Sequence, residues 1–225
     1  MSVKPKIELT ADGSHTLFMS DLNEHYHSVN GAIQESTHVF IKTGLHHCKK
    51  ESVNILEIGF GTGLNAFLTA LDVTNTERVI HYTGLELYPL PKSIIEELNY
   101  SDKHSVQAKV LYNKLHDADW DKEVQILPEF YLSKIECDFT KFDFSSLRSS
   151  FDLIYFDAFA PDKQPEMWTQ SIFDSLYSVT ARNGILVTYC AKGVVRRMLQ
   201  QAGYKTERLP GPPGKREMLR ATKTG

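Results

Sequence analysis

The stretch that most narrows the possible folds is Ile55-Leu56-Glu57-Ile58-Gly59-Phe60-Gly61-Thr62-Gly63-Leu64-Asn65. A short apolar run ends in three glycines at alternating positions. Asn65-Ala-Phe-Leu-Thr-Ala-Leu71 then shows helical spacing of apolar residues. Strand, glycine turn and helix N-terminus follow one another. Glycine admits positive φ and lets a ligand lie against the main chain, and a helix start offers unpaired N–H groups. The turn is therefore a candidate cofactor site, with a plain tight turn as the alternative.

The spacing is G-x-G-x-G, not the G-x-G-x-x-G of dinucleotide binders. No Gly-Lys-Ser/Thr follows, so it is not a P-loop. Glu57 stands two positions before the first glycine. A carboxylate there would repel a pyrophosphate but welcome the ammonium and sulfonium of S-adenosylmethionine (SAM). Gly59, Phe60, Gly61, Gly63 and Asn65 are the remaining expected cofactor residues of this segment.

Later strands end on acids. Val79 to Glu86 is a second strand, and Glu86 with Leu87 is placed to take the ribose hydroxyls. Glu129 to Phe139 is a strand whose Asp138-Phe139 end suits an adenine amino group and ring, or is a plain strand end. Phe151-Asp-Leu-Ile-Tyr-Phe156 is a near-continuous apolar run, as expected of a central parallel strand buried on both faces. It ends on Asp157, where open α/β sheets place ligands. Gly184–Tyr189 is a fifth strand, Lys192–Ala202 a helix, and Tyr204–Leu209 and Met218–Thr222 two strands around Pro210-Gly-Pro-Pro-Gly214. Pro89 to Trp120 reads as helices. Strands alternating with helices imply a Rossmann-like α/β domain.

Residues 1–50 read as an accessory segment and 51–225 as the catalytic domain. The first part holds a hairpin around Asp12-Gly13 and then a helix running toward Gly44. Six of the nine histidines fall in this segment, at spacings that fit no metal site, so no metal is expected. Cys48, Cys137 and Cys190 are far apart and form no zinc or disulfide pattern. No apolar run reaches membrane-spanning length and no signal-peptide core opens the chain, which points to a cytoplasmic protein without a membrane partner. Nothing in the residues speaks to oligomeric state. Charge is uneven: Arg182 to Gly225 holds ten Lys/Arg and two Asp/Glu, a net of +8, which leaves −11 on the rest. The tail is either a polyanion-binding face or a solvated helix surface.

Phe156-Asp157-Ala-Phe159-Ala-Pro161-Asp-Lys-Gln-Pro165-Glu-Met-Trp168 resembles the D-G/A-F-A-P-x-x-x-P-x-M-W segment of the methyltransferase part of bacterial MnmC. Gly59 to Asn65, Glu35 to Phe40, Gly193 to Tyr204 and Gly214 to Leu219 resemble that family too, so the likeness spans the chain. It implies a class I SAM-dependent methyltransferase, with a mostly parallel seven-stranded sheet and an antiparallel C-terminal strand. It also implies methyl transfer from SAM to the primary amine of 5-aminomethyl-(2-thio)uridine at the wobble position of tRNA. The bifunctional members continue into a flavin-dependent oxidase. This chain ends at Gly225, so the expectation is the stand-alone type, sometimes called MnmD, without FAD.

On this reading Asp157 accepts the proton of the substrate ammonium, and Phe159 and Pro161 wall the pocket of a base turned out of its stack. Trp168 either stacks on the nucleotide or is a core tryptophan. Lys192, Arg196, Arg197, Lys215 and Arg216 are candidates for phosphate contact. Two rivals remain. One is an aminopropyltransferase of the spermidine synthase type, opposed by Glu57 and the basic tail. The other is a non-catalytic RNA-binding protein on a methyltransferase fold, opposed by the intact set of acids and glycines.

Overall fold

The computed structural model describes residues 5–224 apart from 75, 103, 148 and 149. Its centre is β4 (Ser52–Ile58), the strand that runs into the glycine turn. β4 pairs in parallel with β5 (Val79–Glu86) on one side and β8 (Phe151–Phe156) on the other. The chain thus changes direction across the sheet at β4, which opens a crevice at the carboxyl ends of these strands.

Alternation along the strands explains the layers. Ile55 of β4 and Leu153 and Tyr155 of β8 point to one face. Leu56 and Ile58, with Ile154 and Phe156, point to the other. Both faces are buried, which is why these strands read as continuous apolar runs. The first face is covered by α1 (Ala32–Ser36) with its π-helical continuation Thr37–Leu45, by α2 (Leu64–Val73) and by α4 (Val106–Asp117). The second is covered by α5 (Gln170–Val179) and α6 (Gly193–Ala202). The short α3 (Lys92–Ile95) follows β5.

The sheet extends in parallel to β7 (Phe130–Glu136) beyond β5 and to β9 (Thr180–Thr188) beyond β8. Next to β9 lies antiparallel β11 (Glu217–Thr222), with β10 (Lys205–Pro210) paired to it at the edge. These make the seven expected strands with the expected antiparallel C-terminal one. An eighth is present. β6 (Glu123–Leu127) folds back on β7 as an antiparallel edge strand. Glu123-Val-Gln-Ile-Leu is short and partly exposed, and its pairing with β7 is broken by a bulge, so its apolar pattern is weak.

The N-terminal part forms its own antiparallel sheet of β1 (Lys6–Leu9), β2 (His15–Met19) and β3 (Glu24–His25), with the expected hairpin turn between Leu9 and His15. It lies against the glycine turn. His27 bonds the Thr62 hydroxyl at 2.8 Å, and the Tyr26 ring abuts Gly61. The histidines of this part go to separate partners, including Glu8, Asp72 and the Pro210 carbonyl. Among the described residues no cluster of three or more His, Cys, Asp or Glu could hold a metal, and no helix is long and apolar enough to cross a membrane.

All three turn glycines are left-handed: Gly59 at φ 87°, Gly61 at 49° and Gly63 at 69°. Gly63 caps α2, and a Cβ there would lie 2.7 Å from Nε2 of His116. That ring cannot swing away freely, because Nε2 donates to the Thr62 carbonyl at 3.1 Å. Gly63→Ala is expected to lose about 2 kcal/mol or more of stability in urea titration, from left-handed strain plus displacement of His116. A midpoint equal to that of the parent protein would contradict this account of the turn.

Candidate active site at the carboxyl end of the sheet

Three strand ends deliver three acids to the crevice: Glu57 near the end of β4, Glu86 closing β5 and Asp157 just past β8. Asn65, in the first turn of α2, joins two of them. Its Nδ2 donates to Glu57 Oε1 at 2.9 Å and to Asp157 Oδ2 at 2.8 Å. The turn lies directly on the Asp157 main chain, since a Cβ on Gly59 would be 3.0 Å from the Asp157 carbonyl.

Glu57 is fully buried, and burial pushes its carboxyl well above the usual range; the Asn65 bond works the other way. Its Oε2 and the Asn65 Oδ1 are buried without a hydrogen-bond partner. The Tyr82 hydroxyl approaches Glu57 from β5 but makes no hydrogen bond of normal geometry. A buried acceptor without a donor costs about 1–3 kcal/mol. Orphaned acceptors beside a left-handed glycine turn therefore fit a ligand that brings N–H donors, as the amino-acid end of SAM does.

Glu86 accepts the Gly61 N–H through Oε2 and the Tyr88 N–H through Oε1, both at 2.8 Å. Each oxygen keeps a lone pair, which suits a ribose diol. Leu87 is 40% exposed on the loop beyond. Asp138 is more committed than its sequence position suggests. It caps the turn Phe139–Lys141 by accepting from the Thr140 N–H and hydroxyl, and it pairs with Lys141 at 2.8 Å. Phe139 is buried edge-on against Phe144 and Phe156. Phe60 also turns inward, toward His116 and Trp120. Behind it lies Lys134, 1% exposed, donating to the His116 carbonyl at 2.7 Å and 4.9 Å from the Trp120 ring; burial brings its ammonium down to about 8. This group braces the turn from the far side.

Asp157 is partly open to solvent, yet the protein crowding its carboxyl raises it to about 7. The Asn65 bond lowers it, the nearby Glu35 charge raises it and Lys215 lowers it. The loop that follows is pinned at two carbonyls. Tyr189 donates to Ala158 O at 2.9 Å, and Trp168 Nε1 donates to Phe159 O at 2.7 Å. Trp168 is only 5% exposed, packed on Phe156, Phe173 and Tyr189. It is the core tryptophan of the two alternatives, because its N–H and its faces are already taken. Phe159 and Pro161 are partly exposed, and the Phe159 ring meets Tyr26 edge-on at 5.0 Å.

The five basic candidates separate. Arg197 and Arg216 are exposed and make no ion pair among the described residues. Lys192 is bound to Asp162. Arg196 is partly buried, with its Nε enclosed and unpartnered. Lys215 is not a free cation. It pairs with buried Glu35 and lies over the Tyr189 ring, 3.9 Å from its centroid. Tyr26 and Glu35 carry no local signal as site residues. They reach the site only because the N-terminal part folds over it.

A parallel sheet that reverses at the glycine-turn strand, with acids closing that strand and its two neighbours, defines a class I SAM-dependent methyltransferase. The chain belongs to the S-adenosyl-L-methionine-dependent methyltransferase family, whose model matches residues 107–224. It is 30% identical over 230 residues to the tRNA 5-methylaminomethyl-2-thiouridine biosynthesis bifunctional protein MnmC of Leptospira interrogans, covering 94% of this chain and 34% of that one. The protein of the same name from Campylobacter hominis is 27% identical over 212 residues, covering 91% and 31%. The chain thus spans about a third of the length of these curated relatives. Among solved structures, MNMC2 from Aquifex aeolicus superposes with a TM-score of 0.81 at 24% identity, covering 98% of this chain and 70% of that one. Spermidine synthase from Thermotoga maritima reaches 0.55 at 13% identity, covering 99% and 73%. Both likenesses are of fold.

The raised Asp157 carboxyl has a stability consequence. Its value moves from the ordinary 3.8 to about 7 on folding, so the folded state holds this proton more tightly than the unfolded chain. The resulting destabilisation is absent below about pH 4 and complete above about pH 7. Asp157→Asn is expected to be more stable than the parent protein by about 1–3 kcal/mol at pH 8, with the difference gone near pH 4. A pH-independent difference in urea titrations would contradict the assignment.

Proposed function

We propose that the protein transfers a methyl group from SAM to the primary amine of 5-aminomethyl-(2-thio)uridine at the tRNA wobble position, giving 5-methylaminomethyl-(2-thio)uridine. The carrying observation is the Asp157 carboxylate. It stands beside the glycine turn, is held by a neutral amide, and titrates near neutrality. The family membership and the printed names of the MnmC relatives support the same reading.

SAM supplies an electrophilic methyl on a sulfonium. The chain has to align a nitrogen lone pair with it and remove a proton. The substrate amine resembles a lysine side chain, with a solution value of roughly 10, and arrives as an ammonium. Asp157, ionised above about 7, accepts a hydrogen bond from that ammonium and takes its proton. A group that titrates near the working pH can both take the proton and release it to water.

In this reading Glu57 and Asn65 hold the amino-acid end of SAM through their orphaned oxygens. Gly59, Gly61 and Gly63 let the main chain approach it, and Glu86 takes the ribose. Leu87 and Asp138 bound the adenine side, while Phe60 and Phe139 support those walls from the core. Phe159 and Pro161 flank the target base, with Tyr26 behind Phe159. Of the five basic candidates, Arg197 and Arg216 are the exposed ones without an ion pair among the described residues and would meet phosphate, with residues 51–225 as the catalytic unit and residues 1–50 as an accessory segment that helps close the site.

Incubation with labelled SAM and tRNA bearing 5-aminomethyl-2-thiouridine should yield the methylated nucleoside by mass spectrometry. Asp157→Ala should keep SAM binding in titration calorimetry and lose at least about 100-fold in turnover. Near-normal turnover by this variant would remove Asp157 from the mechanism. Affinity for tRNA should fall steeply with salt and less steeply after Arg197→Ala or Arg216→Ala; an unchanged salt slope would remove these cations from the interface.

A further inference from the structure

Asp157 is faced by charged or titratable groups from five elements. Glu57 comes from β4, Tyr82 from β5, Tyr189 from beyond β9, Glu35 from α1 and Lys215 from the loop between β10 and β11. Lys215 is the cation of this set. An ammonium beside a carboxylate ordinarily pairs with it, which would lower the carboxylate by about 1–3 units and occupy the lone pair that a substrate ammonium needs. That pairing is absent. Among the described residues Asp157 makes no ion pair, and its side-chain hydrogen bond is the one from Asn65.

Lys215 is held elsewhere from two sides. Its Nζ donates to Glu35 Oε2 and lies over the Tyr189 ring. Glu35 is itself fixed, with its side chain 8% exposed and Oε1 accepting the Ser28 N–H at 3.1 Å. Tyr189 is fixed by its bond to the Ala158 carbonyl, next to Asp157. The pair therefore ties the N-terminal part, the C-terminal hairpin loop and the Asp157 loop together.

We propose that Glu35 and Lys215 are a positioning pair for Asp157: Glu35 retains Lys215 on the Tyr189 ring and so leaves the Asp157 carboxylate free for the substrate ammonium. This rests on Asp157 being the proton acceptor of the reaction proposed above. The pair touches neither the methyl donor nor the reacting nitrogen. Its action is to withhold a competing cation while leaving its charge close by.

The test is the titration of the Asp157 carboxyl by carbon-13 NMR of aspartate-labelled protein, with the resonance assigned from Asp157→Asn. The pH profile of methylation is measured beside it. Glu35→Gln releases Lys215 toward Asp157, so the midpoint should fall by about 1 unit, and turnover at pH 8 should fall by about tenfold. Lys215→Met should raise the midpoint. The double variant, which leaves no uncompensated buried charge, should return the midpoint to within about half a unit of the parent and recover most of the turnover lost in Glu35→Gln. Lys215→Arg should preserve the parent midpoint. Unmoved midpoints in the two single variants, or a double variant as impaired as Glu35→Gln, would overturn the proposal and leave the pair a structural tie. If Glu35→Gln does not fold, the midpoints of Lys215→Met and the double variant decide the matter in the same way. The titration needs no tRNA. Midpoints that move as expected in a protein that does not methylate aminomethyluridine would count against the substrate and not against the pair.

Discussion

One side-chain amide holds the site together. Asn65 Nδ2 reaches the Glu57 and Asp157 carboxylates from two neighbouring strands. Two acids brought this close repel when both are ionised. A neutral donor relieves them without quenching either charge, as a lysine would. Their environments then separate their roles. Glu57, wholly buried, is held well above the usual carboxylate range by that burial. Asp157, nearer the crevice mouth, titrates at about 7. In the reading proposed above, one acid thereby serves a cofactor's amino-acid end and the other proton transfer.

That bridge depends on where α2 begins. The helix starts at Gly63, and its first turn must present Asn65 to both strand ends. The left-handed glycines bring this about, and Thr62 anchors them. Its carbonyl accepts from Tyr112 at 2.8 Å and from His116, and its hydroxyl bonds His27. Burial keeps His27 and His116 neutral, down to about 4, so these bonds persist across physiological pH. The three partners come from the N-terminal part and from α4. Elements outside the crevice thus fix the turn that presents Asn65 to both acids.

Much of the fold was legible because its signals are local. The glycine turn, the acids closing β5 and β8, the apolar run of β8 and the hairpin at Asp12-Gly13 each sit within a dozen residues. Each follows from period, turn chemistry or steric freedom. The edge strand β6 was not legible, because a short and half-exposed strand has little apolar pattern to show. Trp168 had two readings that only burial separates, since a tryptophan beside a helix start can face a ligand or the core. Asp138 stands at a strand end and Lys215 in the basic tail, positions that suit a ligand, and each pairs with a neighbour, Lys141 or Glu35.

The order of residues along the chain is enough to set the strand–turn–helix unit, the spacing of its acids and the chemistry they can perform. Those properties depend on backbone conformations a few residues long. Which carboxylate stays free depends instead on distance in space. Glu35 and Lys215 are 180 residues apart, and Asn65 and Asp157 are 92 apart. A charge acts through whatever lies within a few ångströms in a poorly screening interior. Folding assembles those neighbours, and no local period of the chain states which of them lie together.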